Sequence, residues 1–325
     1  MNLLPVVPAH RLATRPEQHR WLVTGLWAEQ AVGILGGEPK TCKSFLALDL
    51  AVAVAAGSPC LRRFPVPTPG RVLLYAAEDA LEVVRLRLDG ICGAAGVPLR
   101  NLDLQVITAP SVRLDLAADR HRLEHTVATL KPRLLILDPF VRLHCGDENS
   151  SAEVAPLLAF LRHLQRQHQL AVVVVHHAKK SAGRLRDGQA LRGSSEFHAW
   201  GDCNLYLRRY RDDLTLTVEH RAAPSPAPIP LTLSSDGDAL ALAVTDRTDP
   251  GNHTYTSMSL DDRITAALAN AAAPLSVAQL RPLCRVRNAT LYRRLAALCS
   301  QGILVKSAAG YRLADSPTAT ASRSL

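Results

Sequence analysis

Nine consecutive residues carry the most explicit chemistry in the chain: Gly36-Gly37-Glu38-Pro39-Lys40-Thr41-Cys42-Lys43-Ser44, behind a short apolar run and ahead of a helical pattern. A loop in that context can wrap its backbone N–H groups and a helix N-terminus around phosphate oxygens. Gly37 through Ser44 follow the Walker A spacing, in which Lys43 reaches the β- and γ-phosphates and Ser44 ligates Mg²⁺. One position departs from the pattern. Cys42 stands where the second glycine belongs, so a side chain sits where backbone normally approaches phosphate. By itself the stretch also fits an ordinary strand-to-helix turn.

Further chain segments supply partners for such a loop. Arg133-Leu134-Leu135-Ile136-Leu137-Asp138 is an apolar run ending in a carboxylate, the Walker B pattern, and Asp138 would act in the Mg²⁺ shell. Leu73-Leu74-Tyr75-Ala76-Ala77-Glu78-Asp79 ends in adjacent acids. Glu78 is the candidate to polarise an attacking water; the other use of these acids is to cap the following helix. Val172–Val175 runs into His176 and His177, which read either as strand-end sensors of a γ-phosphate or as core histidines. After them comes a glycine-containing basic stretch with Lys179, Lys180, Arg184 and Arg186, suited to a phosphodiester backbone or simply to solvent.

Positioning these groups requires a sheet. Strands are expected at Ala31–Leu35, Arg71–Ala76, Leu104–Ile107, Leu134–Leu137, Ala171–Val175, Cys203–Leu207 and Leu214–Val218. Helical patterns fall at Phe45–Ala56, Ala80–Ile91, Ala118–Leu130 and Ser151–His168. The continuous apolar runs suit strands covered on both faces, and the alternation predicts a doubly wound α/β sheet with active residues at the C-terminal strand ends. A hairpin is expected over Leu231–Leu233 and Ala239–Val244, turning at Asp236-Gly237.

Composition bounds the rest. The 325 residues are 47% hydrophobic but only 4% aromatic, so Ala, Leu and Val must build the core. The formal charge of +9 points to a polyanionic partner. Seven scattered cysteines with no C-x-x-C pair suggest reduced thiols and a cytoplasmic setting. No leader pattern opens the chain, and its longest apolar run, Phe45–Ala56, is too short for a bilayer, so no membrane partner is expected.

The C-terminal region concentrates positive charge: residues 256–325 hold nine Lys/Arg against three acids. Its pattern reads as helices at Leu260–Ala271, Val277–Cys284 and Ala289–Gln301, with Ser276 and Asn288 as N-caps, then a strand–wing–strand to Leu313. Three helices and a hairpin resemble a winged helix-turn-helix. Arg285, Arg287, Arg293 and Arg294 would face DNA phosphates and bases, a use favoured over pure protein contact by the local charge.

The ordered set GGEPKTCKS, LLYAAED, LLILDPF with GDENS behind it, VVVVHHAKK and LRGSSEFHAWGDCNLYLRR resembles the RecA/DnaB superfamily, within it the plasmid RepA-type replicative helicases, over roughly residues 20–245. The resemblance implies a RecA-like P-loop NTPase core binding ATP and Mg²⁺, a homo-oligomeric ring, usually hexameric, with nucleotide between subunits, and DNA near the centre. It gives Gly37, Glu38, Pro39, Lys40, Thr41, Cys42, Lys43 and Ser44 as the nucleotide loop, Ser44 and Asp138 at the metal, and Glu78 as the catalytic glutamate. His176 and His177 become the sensor. Arg221 is implied as a finger reaching the neighbouring subunit's nucleotide, with Arg192 the alternative; the lysine expected near Arg221 is replaced by Glu219.

The organisation expected is an arm over 1–30, an ATPase core over 31–245, a linker over 246–258, the winged helix over 259–313 and a disordered tail over 314–325. The functions to be separated are a DNA-dependent motor ATPase of a mobile element, an ATP-switched DNA-binding regulator with slow hydrolysis and no unwinding, and a small-molecule kinase.

Overall fold

The computed structural model of the chain describes residues 4, 6–12, 20–177, 196–210, 213–236, 239–245, 260–269, 271, 273–284, 288–307 and 310–314. These fall into two compact units, Met1–Arg247 and Thr248–Leu325.

In the first unit the elements follow in the order β1 (Trp21–Val23), β2 (Trp27–Ala28), β3 (Val32–Gly37), α1 (Lys43–Ala56), β4 (Val72–Ala76), α2 (Leu81–Ala95), β5 (Leu104–Val106) and α3 (Ala117–Leu130). Then come β6 (Leu134–Asp138), α4 (Ser151–His168), β7 (Ala171–His177), α5 (Glu196–Trp200), β8 (Cys203–Tyr210), β9 (Asp213–His220), β10 (Ile229–Asp236) and β11 (Ala239–Val244). Nine strands form one sheet in the order β11-β10-β9-β8-β3-β7-β6-β4-β5. From β8 to β5 every pairing is parallel. Beyond β8 the sheet continues antiparallel through β9, β10 and β11.

The side-chain period of two along each strand divides the core into two layers. Leu134 and Ile136 of β6 and Val173 and Val175 of β7 pack with α1 and α2 on one face. Leu135, Leu137, Val172 and Val174 pack with α3 and α4 on the other. Both faces are covered, which is why these strands read as unbroken apolar runs. α1 is covered nearly all round, between the sheet, α2, β1 and β11. The expected arm, from Trp21 onward, is a small hairpin built into this body, with Leu22, Val23, Leu26 and Trp27 buried in the α1 layer.

Two strands run further than their apolar stretches. β3 extends through Gly36 and Gly37, and β7 through His176 and His177, because those four residues continue the ladder: Gly36 pairs with His176 and Gly37 with His177. Backbone pairing needs no apolar side chain, so an estimate based on hydrophobicity stops two residues short at both strands.

The second unit contains α6 (Leu260–Ala269), α7 (Val277–Cys284), α8 (Asn288–Ser300) and an antiparallel pair, β12 (Leu304–Ser307) and β13 (Gly310–Leu313). Ile264, Leu268, Leu280, Cys284, Leu291, Leu295, Leu298, Leu304 and Tyr311 close its own core. Ser276 opens α7 as a capping box: the Gln279 backbone N–H donates to its Oγ at 3.4 Å, and its own N–H donates to Gln279 Oε1 at 2.9 Å. Among the described residues no helix is long and apolar enough to cross a membrane.

Candidate functional site

Strand order builds the site. β7 lies between β3 and β6, so the C-terminal ends of β3, β7, β6 and β4 stand side by side, where ligands bind in open parallel sheets. The period of two then selects which side chains face α1. Asp138 continues the Leu134, Ile136 series and His177 the Val173, Val175 series, both on the α1 face. His176 continues the Val172, Val174 series on the opposite face.

A cleft of about 310 Å³ opens at this edge, lined by Lys40–Phe45, Ala76, Glu78, Asp79, Arg87, Asp138 and His177. Its floor is the loop between β3 and α1. Gly37 allows no substituent, since a Cβ there would lie 2.5 Å from the Leu207 carbonyl oxygen and 2.7 Å from Thr41 Oγ1. Buried Thr41 closes the turn by donating its hydroxyl to the Glu38 carbonyl at 2.8 Å. Lys43 is buried, and its Nζ donates to the carbonyls of Gly37 at 3.1 Å and Glu38 at 2.8 Å. Cys42 adopts the left-handed conformation, φ 63° and ψ 26°, which a glycine takes without strain. Its sulfur accepts from Arg209 Nη2 at 3.4 Å.

Burial dominates the electrostatics. It pushes the Lys43 ammonium down to about 8, against the opposing pull of Asp138 and Glu78. The Asp138 carboxyl is raised by burial to about 6, against a hydrogen bond from Ser44. Ser44 and Asp138 therefore meet directly, a hydroxyl and a carboxylate from two different elements. That donor pair suits Mg²⁺, which takes hard oxygens, keeps water and relies on substrate phosphates. Among the described residues no cluster of three or more His, Cys, Asp or Glu forms a metal site of its own.

The acids after β4 do not cap α2, whose N-cap residue is Ala80 without a side-chain bond. Asp79 instead grips Arg87 by two contacts, 2.5 and 3.1 Å, and that guanidinium lies 5.2 Å from the Phe45 ring centroid. Glu78 pairs with Arg142 at 3.0 Å at the open side of the cleft. Arg87, Arg142 and Arg209 are thus the site residues that the sequence reading missed. None of the three had a signal: Asp79 precedes the N-cap of α2, so its spacing of eight to Arg87 fixes no shared helical face, and the partners of Arg142 and Arg209 are remote in the chain.

The remaining candidates are dispersed. His176 does not line the cleft: it is buried behind β7, its ring centroid 4.2 Å from that of Phe197, and burial lowers it to about 4. The resemblance implied both histidines as the sensor, but neighbours in a strand point to opposite faces, so His177 lines the cleft and His176 takes the core position. Arg221 bonds within its own chain, to Asp202 at 3.3 Å and to the Ala199 carbonyl. Lys179, Lys180, Arg184, Arg186, Arg192, Arg285 and Arg287 lie outside the described residues. On α8, Arg293 is exposed while Arg294 is tied to Asp261.

A family model described as an AAA domain matches residues 1–183. Among solved structures, the crystal structure of the RadB recombinase is similar with a TM-score of 0.48 and 15% identity, covering 66% of this chain and 91% of that one.

Proposed function

The chain belongs to the AAA domain family, and from that premise we propose that it is an ATP hydrolase with a RecA-like core that works on DNA as an oligomer. The observation carrying this reading is the convergence in one cleft of Lys43 and Ser44 from α1, Asp138 from β6 and Glu78 from the turn after β4. Lys43 and the N-terminus of α1 bind the β- and γ-phosphates. Ser44 and Asp138 would hold Mg²⁺, which would offset charge on those phosphates. Glu78 orients a water and takes its proton as the water oxygen bonds to the γ-phosphorus; the bond to the β,γ-bridging oxygen breaks and ADP leaves.

The DNA part rests on the second unit and on the basic residues 179–186. We read the three helices and the hairpin of the second unit as a winged helix that offers Arg293 to DNA, tethering a motor of the replicative-helicase type. Ring formation, with six copies as the expected number, would bring Arg221 or Arg192 to a neighbouring nucleotide. A second reading, an ATP-switched DNA-binding regulator without unwinding, is favoured by one observation: the Cys42 side chain stands in the loop where the motif carries glycine.

ATP hydrolysis with and without single-stranded DNA, paired with strand displacement, tests both. Stimulated hydrolysis with unwinding supports the motor, and ATP-dependent assembly without unwinding supports the switch. Glu78→Gln is expected to lower kcat by about 10²–10⁴-fold, the usual contribution of a positioned base, while leaving nucleotide binding intact. Unaltered hydrolysis in both Glu78→Gln and Lys43→Ala would overturn the site assignment.

A further inference from the structure

Behind β7, on the face away from the cleft, three polar side chains converge in an otherwise apolar pocket. Glu148 Oε1 lies 3.7 Å from His176 Nε2 and 3.8 Å from His144 Nε2. Both rings are almost fully enclosed, and the Glu148 side chain is only 15% exposed. Neither distance is a direct hydrogen bond, and both ring nitrogens of His176 lack a hydrogen-bond partner among the described residues. Phe140 and Phe197 wall the pocket: their rings meet edge-on at 5.0 Å, with His144 4.7 Å from Phe140 and His176 4.2 Å from Phe197.

The chain positions of these residues matter. His176 is the neighbour of His177, which lines the cleft. Phe140 and His144 follow Asp138 along the same strand exit. Phe197 lies at the start of α5, so its ring contact with His176 joins β7 to α5. A carboxylate this enclosed, with two imidazoles within reach of a small side-chain rotation, favours the arrangement in which ring N–H groups donate to it.

We propose that Glu148 is a positioning residue, whose carboxylate holds His144 and His176 and thereby fixes the end of β7, with His177 on its cleft face, against Phe197 at the start of α5. The proposal rests on the nucleotide reading of the cleft only for its consequence: a shift of His177 is passed through the backbone to His176, and from there to Phe197 and Glu148. β7 and the segment that follows β6 are then tied to one anion.

Hydrogen exchange on the full chain without nucleotide tests the positioning directly. At equal distance below each melting temperature, Glu148→Gln is expected to raise exchange about tenfold in peptides from β7 and α5, neither of which is altered. Glu148→Asp, which keeps the charge, is expected to restore at least half of the protection. Unchanged exchange in β7 and α5 overturns the proposal, as does equal loss in the Asp and Gln variants. Adding Mg²⁺ and a non-hydrolysable ATP analogue separates the two readings. Protection gained at α5 in the wild type and lost in Glu148→Gln supports the coupling; protection gained equally in both overturns it. If the wild type takes up no nucleotide while the nucleotide-free exchange difference stands, the proposed function fails and the positioning role is upheld.

Discussion

Arg209 Nη2 lies 3.4 Å from Cys42 Sγ, across the mouth of the loop that also carries Lys43, and Cys42 itself sits at φ 63°. A side chain in the left-handed region costs about 1–2 kcal/mol relative to the ordinary conformation. Replacing it with glycine removes that cost, while the freer unfolded chain takes back about 0.5–1 kcal/mol. Cys42→Gly is therefore expected to be neutral to mildly stabilising, with a melting temperature unchanged or up by at most about 6 °C. Calorimetry checks this, and turnover measured beside it separates the two functional readings: a large increase marks the natural loop as a slow switch, and no change marks it as a competent motor loop.

Ionisation of the cleft predicts a bell-shaped pH profile for kcat/KM, the parameter that reports the free enzyme. Asp138 must be ionised to serve a cation, and burial raises its carboxyl to about 6, so activity falls as pH drops through that value. Lys43 must be protonated to hold phosphate, and burial lowers it to about 8, so activity falls as pH rises through that value. The two groups sense one another, so the limbs belong to the pair. A profile flat from pH 5 to 9 would contradict the arrangement.

His176 predicts an acid-sensitive stability. Its folded value of about 4 is below the ordinary 6.5, chiefly through burial. Between these values the unfolded chain binds the proton and the folded chain does not, so stability falls as pH drops from about 6.5 to about 4, by an amount on the order of 3 kcal/mol. Glu148 behaves differently. Burial raises it, but the surrounding histidines outweigh burial and hold it below its ordinary value, so its contribution persists above pH 4.5 and is lost only under more acidic conditions. His176→Phe, which keeps an aromatic ring beside Phe140 and Phe197, is expected to flatten the 4–6.5 segment in urea unfolding followed against pH. A slope equal to the wild type's would show that His176 is not the group responsible.

The exposed face of α8 separates two adjacent arginines. Arg293 is free of acidic partners in the described structure, whereas Arg294 is paired with Asp261. If the second unit binds DNA through this helix, Arg293→Ala should weaken binding and reduce the salt slope by about 1. Arg294→Ala should affect DNA affinity less and thermal stability more. Titration of labelled duplex at several salt concentrations, with melting curves alongside, distinguishes these outcomes.

Much of the site was legible along the chain because its parts are local. A loop after a strand and before a helix, an apolar run that ends in Asp138, and another that ends near Glu78 each express their geometry within a few residues. The α/β alternation follows for the same reason: apolar runs and helical periods are short-range patterns set by which side chains must be buried. Even the separation of His176 from His177 was available there, since a strand points its neighbours to opposite faces.

Tertiary structure alone decided what those parts meet. Strand order is a matter of long-range pairing, and only that order, with β7 between β3 and β6, brings Ser44 against Asp138 and sets His177 beside them. The arginine partners of Asp79, Glu78 and Cys42, and the joining of Glu148 with His144 and His176, depend on elements that approach in space with nothing in their spacing to announce it. Local residue types encode backbone conformation and burial; the contact between remote charges is fixed only when a closed core leaves those elements one way to pack.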